Sequence, residues 1–374
     1  MLVPPRFAAF ASTLAMLPAL VLVGCGGAGT SGGTAGTGTG GGGSSVAVPP
    51  QTMSGNYTLT GNVSLVHDPA IVRQGSIYYS MSTDPGDQTG LPQVGYLPIR
   101  CSTDKINWTR CGQVFNTVPA PVLNRFPSLK VLWAPDISYF NGLYHVYYAA
   151  SGFGANGSII GVATSPTMTQ TASNYGWTDQ GIVLQSYSTD NFNAIDPSVL
   201  VDTDGSGNVT HVWMAYGSFW GGIYERELDP TTGKLSTTNT AVINLAARPG
   251  VTNNPVEGAS LVKHNGFYYL FVSFDYCCSN PISSADYKIA VGRSTSPNGP
   301  FVDQAGIAMT SGGGSILLSS GSQWIAPGGE TVYIDPVGGD LITFHALSVA
   351  QNYLDYLFVE PITWVSDWPQ INQP

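Results

Sequence analysis

Five times in this 374-residue chain an acidic residue is followed by a Gly-containing turn and then an aromatic-rich strand. The acids are Asp68 (HDPAIVRQGSIYYSMS), Asp136 (WAPDISYFNGLYHVYYAA), Asp196 (AIDPSVLVDTDGSGNVTHVWMAYGS), Glu257 (VEGASLVKHNGFYYLFVSF) and Glu330 (GGETVYIDPVGGDLITFHAL), spaced by 68, 60, 61 and 73 residues. A repeat of that length, with several short strands in each unit, is how a β-propeller looks in sequence. The expected fold is therefore all-β, a five-bladed β-propeller. If each unit is one blade, each acid takes the same place on its blade, beside the axis. A two-sheet sandwich is the rival, but it gives no reason for evenly spaced acids.

Composition agrees. Charged residues make up only 10%, while Gly (46), Tyr (19) and Trp (8) are abundant, a balance suited to turn-rich β structure. The net charge of −10 leaves no basic stripe for phosphates, so no nucleic-acid partner is expected, and a neutral polymer suits the surface better than a polyanion. Residues 1–24 have the layout of a signal peptide, with Arg6 ahead of an apolar stretch from Phe7 to Val23. The ending LVGC resembles a bacterial lipobox, which would make Cys25 the lipid-bearing first residue of the mature protein. An ordinary cleaved signal is the alternative. Residues 25–47, the Cys and a Gly/Ser/Thr-rich stretch, read as a tether, and 48–374 as the propeller. The chain is expected to be exported, to touch membrane only through its N-terminal lipid, and to be a monomer.

Cys101 and Cys111 bracket nine residues and are placed to close a hairpin as a disulfide, whereas Cys277 and Cys278 are adjacent. From about Val48 the chain reads as strands without a helix. Segments WTDQGIVL and FVDQAGIAM look like outer strands of repeats two and four, with turns at Asn141-Gly142, Asn265-Gly266 and Gly338-Gly339. The stretch Tyr57–Val63 is expected to pair with the last repeat and close the ring.

Carboxylates from several repeats, gathered at one axis, suit glycosidic-bond hydrolysis. One carboxyl must protonate the leaving oxygen while another, ionised, activates water or attacks the anomeric carbon. Burial and neighbouring negative charge raise one pKa, and hydrogen bonds lower the other. Asp84, Asp87, Asp179, Asp202, Asp204 and Asp229 lie in Gly/Pro/Thr-rich loops and read as turn residues instead.

The motifs HDP (67–69), WAPD (133–136), NAIDPS (193–198), GSFWGGI (217–223), VEGAS (256–260) and FDYCCS (274–279), in this order, resemble glycoside hydrolase family 43 and, within it, the endo-1,5-α-L-arabinanases. The match runs from about Leu65 to Trp368. The resemblance implies a five-bladed propeller that cleaves arabinan with inversion. It makes Asp68 the general base, Glu257 the general acid, and Asp196 the group that raises the pKa of the acid and orients it. It places Asp136 as a substrate-positioning residue. Trp133, Phe153, Phe219 and Trp220 would stack on sugar faces. Asn193, Ala194, Ile195 and Ser218 would complete the binding surface, with Asn193 and Ser218 bonding sugar hydroxyls. His345 in ITFHAL resembles the family histidine that helps hold a metal, usually calcium, near the axis; a buried core histidine is the alternative. The chain reads PGGE (327–330) where arabinanases commonly carry a Gly-His pair. An exo-acting arabinofuranosidase or β-xylosidase on the same fold, or a sugar-binding propeller without catalysis, remain alternatives.

Overall fold

The computed structural model describes residues 48–84 and 95–373; the expected signal peptide, Cys25 and the expected tether lie outside them. Five antiparallel sheets form the blades. From the inside outwards, blade one is His67–Gln74, Ile77–Thr83, Tyr96–Ser102 and Asn107–Phe115. Blade two is Trp133–Phe140, Leu143–Ala150, Ile159–Ser165 and Thr178–Gln185. Blade three is Ser198–Thr203, Val209–Tyr216, Ile223–Leu228 and Ile243–Ala246. Blade four is Val256–His264, Phe267–Phe274, Lys288–Ser294 and Ser315–Ser319. Blade five is Trp324–Tyr333, Leu341–Ser348, Leu354–Val365 and Trp368–Ile371. The Asn-Gly hairpin turns form as expected, with positive φ at Asn141 and Gly142 and at Asn265 and Gly266.

Alternation along each strand supplies the core. Tyr147 joins the apolar cluster between blades two and three, while its neighbours Val146 and Tyr148 join the one between blades one and two. Leu270 and Phe271 divide in the same way between blades three/four and four/five. A fifth cluster, with Ile71, Tyr78 and Leu357, fills the gap between blades five and one. Strands buried on both faces explain why these runs are continuously aromatic and aliphatic.

The inner strands share a second feature. Four of them have a break in register in their first half, and each of the five carries a residue of positive φ there or just before its first residue: Asp68 (47°), Ala134 (40°), Asp196 (53°), Gly258 (60°) and Gly329 (57°). Regular pairing resumes two residues later, at Ala70, Asp136, Ser198, Ser260 and Thr331. Such bulges re-aim side chains. Counted from them, the five acids do not share one place, contrary to the sequence expectation. Asp68 and Asp196 are equivalent. Glu257 stands one residue before its bulge position, Glu330 one after and Asp136 two after.

The place two residues after the bulge ties blades together. Asp136 Oδ2 accepts the Val199 N–H at 2.7 Å, Ser198 Oγ accepts that of Leu261 at 3.0 Å, and Ser260 Oγ accepts that of Val332 at 2.9 Å. Blade one has Ala70 at this place, and Thr83 Oγ1 accepts the Ala134 N–H instead, at 2.7 Å. Between blades five and one the link is reversed, with Thr343 Oγ1 donating to the Pro69 carbonyl at 2.8 Å.

Ring closure differs from the expected pairing of Tyr57–Val63 with the last repeat. Gln51–Thr52 adds in parallel to the outer edge of blade four, and Thr60–Gly61 to the outer edge of blade one. Between them Tyr57 packs on Trp324, Tyr356 and Phe358 of blade five and donates to the Leu357 carbonyl at 2.9 Å. The segment is a strap over three blades, and among the described residues its backbone pairs with the blade-five strand at Val63–Leu65. Two smaller differences concern single elements. A six-residue helix, Ala120–Arg125, precedes blade two. The segment FVDQAGIAM forms isolated bridges and a 3₁₀ turn, so Ser315–Ser319 is the outer strand of blade four. Both disulfides, Cys101–Cys111 and Cys277–Cys278, are formed.

Candidate active site

Loops from all five blades enclose a cleft of about 1190 Å³ at one end of the axis. Asp68, Asp196 and Glu257 line it, carried there by the bulges of blades one, three and four. On the opposite side of these bulges a void of about 20 Å³, lined by the inner strands of all five blades, marks the axis; Asp68 and Asp196 also reach it, with Glu330.

Each carboxyl has its own set of donors. Asp68 Oδ2 accepts from Thr83 Oγ1 at 3.1 Å, and Oδ1 lies 3.7 Å from both His67 Nε2 and His345 Nδ1. His67 is held from behind, its Nδ1 2.9 Å from Asp355 Oδ1. Glu257 accepts two hydroxyl protons, from Ser218 Oγ at 2.5 Å and Tyr287 Oη at 2.6 Å. Among the described residues, Asp196 Oδ2 accepts the Gly258 N–H alone, at 3.1 Å.

Burial raises the pKa of all three. For Asp196 the adjacent Glu257 charge raises it further, whereas the hydroxyls of Ser218 and Tyr287 pull Glu257 back. The resting proton of this pair therefore sits more comfortably on Asp196, and the two groups titrate together. Burial alone would push the His67 imidazole down, but Asp68 and Asp355 outweigh it and lift it to about 9, which places a positive charge beside Asp68. His345, buried and stacked on His67 with ring centres 3.7 Å apart, is held well below the ordinary value.

The cleft brings together most of the residues singled out in the sequence: Trp133, Phe153, Asn193, Ile195, Ser218, Phe219 and Trp220 all line it. Phe153 is 74% exposed and Trp220 38%, as sugar-stacking rings must be. Two expected hydrogen-bond partners are already engaged. The Ser218 hydroxyl serves Glu257, and Asn193 Oδ1 accepts from Ser158 Oγ at 2.5 Å. Asp136 and Ala194 do not line the cleft. Asp136 is a buried inter-blade tie whose carboxyl burial pushes up to about 7, and Ala194 is fully buried in the cluster between blades two and three. Tyr287, Asp355 and the Cys277–Cys278 pair were not foreseen as cleft residues. Tyr287 precedes a strand in a loop whose sequence gives no signal of its partner.

The buried Nε2 of His345 has no hydrogen-bond partner among the described residues. Its Nδ1 accepts the Asp68 backbone N–H at 3.2 Å and lies 3.7 Å from Oδ1, which leaves the proton of the neutral ring on Nε2. A metal on Nε2 would require that bond to be given up and the proton moved to Nδ1, towards the carboxylate. Asp355 is grouped closely with His345 and His67 but already serves His67, and Asp68 Oδ1 lies 3.7 Å from both rings. Calcium takes about 6–8 oxygen ligands, so a calcium ion here would draw most of its shell from water.

The family model of "Glycosyl hydrolases family 43" matches residues 63–369. The chain is 40% identical over 306 residues to the extracellular endo-α-(1→5)-L-arabinanase 1 of Bacillus subtilis strain 168, covering 82% of this chain and 87% of that protein. It is 33% identical over 320 residues to the extracellular exo-α-(1→5)-L-arabinofuranosidase of Cellvibrio japonicus, covering 82% and 86%. Among solved structures, the α-L-arabinanase of Cellvibrio cellulosa complexed with arabinohexaose superposes with a TM-score of 0.73 at 33% identity, over 83% of this chain and 96% of that one.

Proposed function

The chain belongs to glycosyl hydrolase family 43, and from that membership we infer that it is an arabinan-cleaving glycoside hydrolase acting on internal α-1,5-L-arabinofuranosidic bonds. The observation that carries the reading is the cleft. Three carboxyl groups with distinct hydrogen-bond environments meet in it, and aromatic rings stand exposed around them. Its volume of about 1190 Å³ exceeds the roughly 300–1,000 Å³ of an ordinary small-molecule pocket, which favours a polymer over a single sugar.

In the proposed mechanism Asp68, kept ionised by His67 and Thr83, takes a proton from water as that water attacks the anomeric carbon. Glu257 delivers its proton to the leaving oxygen. The acid must hold that proton when substrate is bound, and Asp196 provides it through their shared titration, its own charge opposing ionisation of Glu257. Attack by water from the face opposite the leaving group inverts the configuration. A divalent cation, calcium in the family resemblance, would be held by His345 Nε2 and waters. It would supply fixed positive charge behind Asp68.

The relatives named extracellular support export. The finer proposal is a lipoprotein, anchored through Cys25 and held off the membrane by residues 25–47, with a monomeric propeller. Cys25→Ser would release the protein from membranes, and size-exclusion chromatography would give the monomer mass. The second reading, exo action, draws on the Cellvibrio japonicus relative. Product analysis on debranched arabinan tests the function. Mixed oligosaccharides support internal cutting, arabinose alone supports exo action, and no release overturns both.

A further inference from the structure

We propose that Cys277, Cys278 and His67 form a binding site for a soft divalent cation of the zinc class when the Cys277–Cys278 bond is reduced. The ligand atoms of these three residues lie within 4.8 Å of one another, and all three line the cleft. Cys278 Sγ is 3.9 Å from His67 Nε2. In a tetrahedral zinc site, bonds of about 2.3 Å to sulfur and 2.0 Å to nitrogen place neighbouring ligand atoms about 3.5–3.8 Å apart. The sulfur–nitrogen separation therefore needs little change. The rear of the imidazole is already arranged for a metal at its front: Asp355 Oδ1 lies 2.9 Å from Nδ1, fixing the ring so that Nε2 faces the sulfurs.

The disulfide keeps this site closed. Oxidised sulfur has no thiolate to offer, and the thiolate is the metal ligand. A phosphine opens it: two electrons and two protons convert the bond to two thiols, and the phosphine becomes its oxide with oxygen from water. Metal binding then releases the protons of the two thiols and any proton on Nε2. The ion would stand beside Asp68, whose Oδ1 is 3.7 Å from His67 Nε2, and would take His67 away from that carboxylate. Reduction thus turns a cleft wall into an inhibitory metal site, and the disulfide protects hydrolysis from soft metals.

The test compares the full chain with and without phosphine, adding Zn²⁺ for activity and stoichiometry and Co²⁺ for spectroscopy. Reduced protein should bind one more Zn²⁺ per chain than oxidised protein and show a thiolate-to-cobalt charge-transfer band. Its hydrolysis should fall by about 10²-fold or more, the scale of losing a general base, and recover on chelation. Cys101→Ser/Cys111→Ser should keep the reductive site, while Cys277→Ser/Cys278→Ser should lose the extra Zn²⁺ and the band whatever its basal rate. Equal Zn²⁺ binding in oxidised and reduced protein, or a cobalt band that survives in Cys277→Ser/Cys278→Ser, overturns the proposal. If that double variant does not fold, the cobalt band of the reduced Cys101→Ser/Cys111→Ser protein, present or absent, decides the matter.

Discussion

The Tyr287 hydroxyl donates to Glu257 Oε1 at 2.6 Å, on the opposite oxygen from Ser218. A bond to the charged form lowers the pKa of an acid, so this contact works against the burial that raises it. Tyr287→Phe should therefore shift the alkaline limb of the pH–rate profile upwards. A hydrogen bond to a charged group is worth about 1.5–3 kcal/mol, which corresponds to about one to two pH units. An alkaline limb that stays in place in Tyr287→Phe would mean that Glu257 is not the proton donor.

Asp196→Asn should move the same limb the other way. The last proton of the Asp196–Glu257 pair is retained because its loss would leave two adjacent charges. With Asn in place Glu257 titrates alone and loses its proton at lower pH. Profiles of the two variants, measured side by side, should bracket the wild type.

Asp68→Asn and Glu257→Gln should each reduce hydrolysis by about 10²–10⁴-fold with melting curves close to wild type, because each removes a proton-handling group at nearly constant volume. NMR of the first-formed sugar should show the inverted anomer. Retention of configuration would sink the water-attack mechanism even with arabinan as substrate.

Asp136→Ala should destabilise by about 1–3 kcal/mol by leaving the Val199 N–H unpartnered. Asp136→Ser should restore most of the loss, since Ser198 and Ser260 perform the same tie in blades three and four. Denaturant midpoints measure both, and kcat/KM of the folded protein should change little. A large fall in kcat/KM for Asp136→Ser at normal stability would return Asp136 to the substrate-positioning role suggested by its motif.

Burial raises Asp136 from 3.8 to about 7, and Glu225, Glu330 and Glu360 from 4.5 to about 8. Groups whose folded pKa is raised favour the fold fully below their unfolded values and lose that contribution as pH climbs through the folded ones. Tm should accordingly be higher near pH 4.5 than near pH 8. A Tm that rises across this window would contradict the buried, protonated state of these acids.

Chelation tests the proposed cation. A cation held only by the folded protein at His345 stabilises it by mass action, so EDTA should lower Tm. An unmoved melting curve, in protein verified as metal-free, would make His345 a core histidine.

The fold was legible because every blade repeats one unit, and the period survives differences in detail. The meeting of Asp68, Asp196 and Glu257 in one cleft was legible because they sit in distinctive motifs. What misled was the assumption that acids, rather than backbone, set the phase of the repeat. Ala134-Pro135 aligns with Asp68-Pro69 and Asp196-Pro197 through its positive φ, which leaves Asp136 two residues downstream and facing the next blade. The register break between Trp133 and Asp136 redirects the side chains that follow it, and composition does not record where such a bulge falls. The strap was hidden for a different reason: its bridging strands are two residues long, and Tyr57 works by packing rather than by pairing.

At the joint between the last and first blades, the backbone pairing among the described residues is limited to the short Val63–Leu65 contact with the blade-five strand. The joint is held by the Thr343–Pro69 bond, the His67–Asp355 and Asp68–His345 contacts, and the strap lying over blade five. Asp68, the proposed general base, is thus mounted on one lip of the ring and His345 and Asp355 on the other. Parting the lips would disarm Asp68 while every sheet stayed intact. Turnover would then act as a clasp sensor, failing on warming before the β signal does, and a covalent staple across those lips would prolong activity more than it raises global stability.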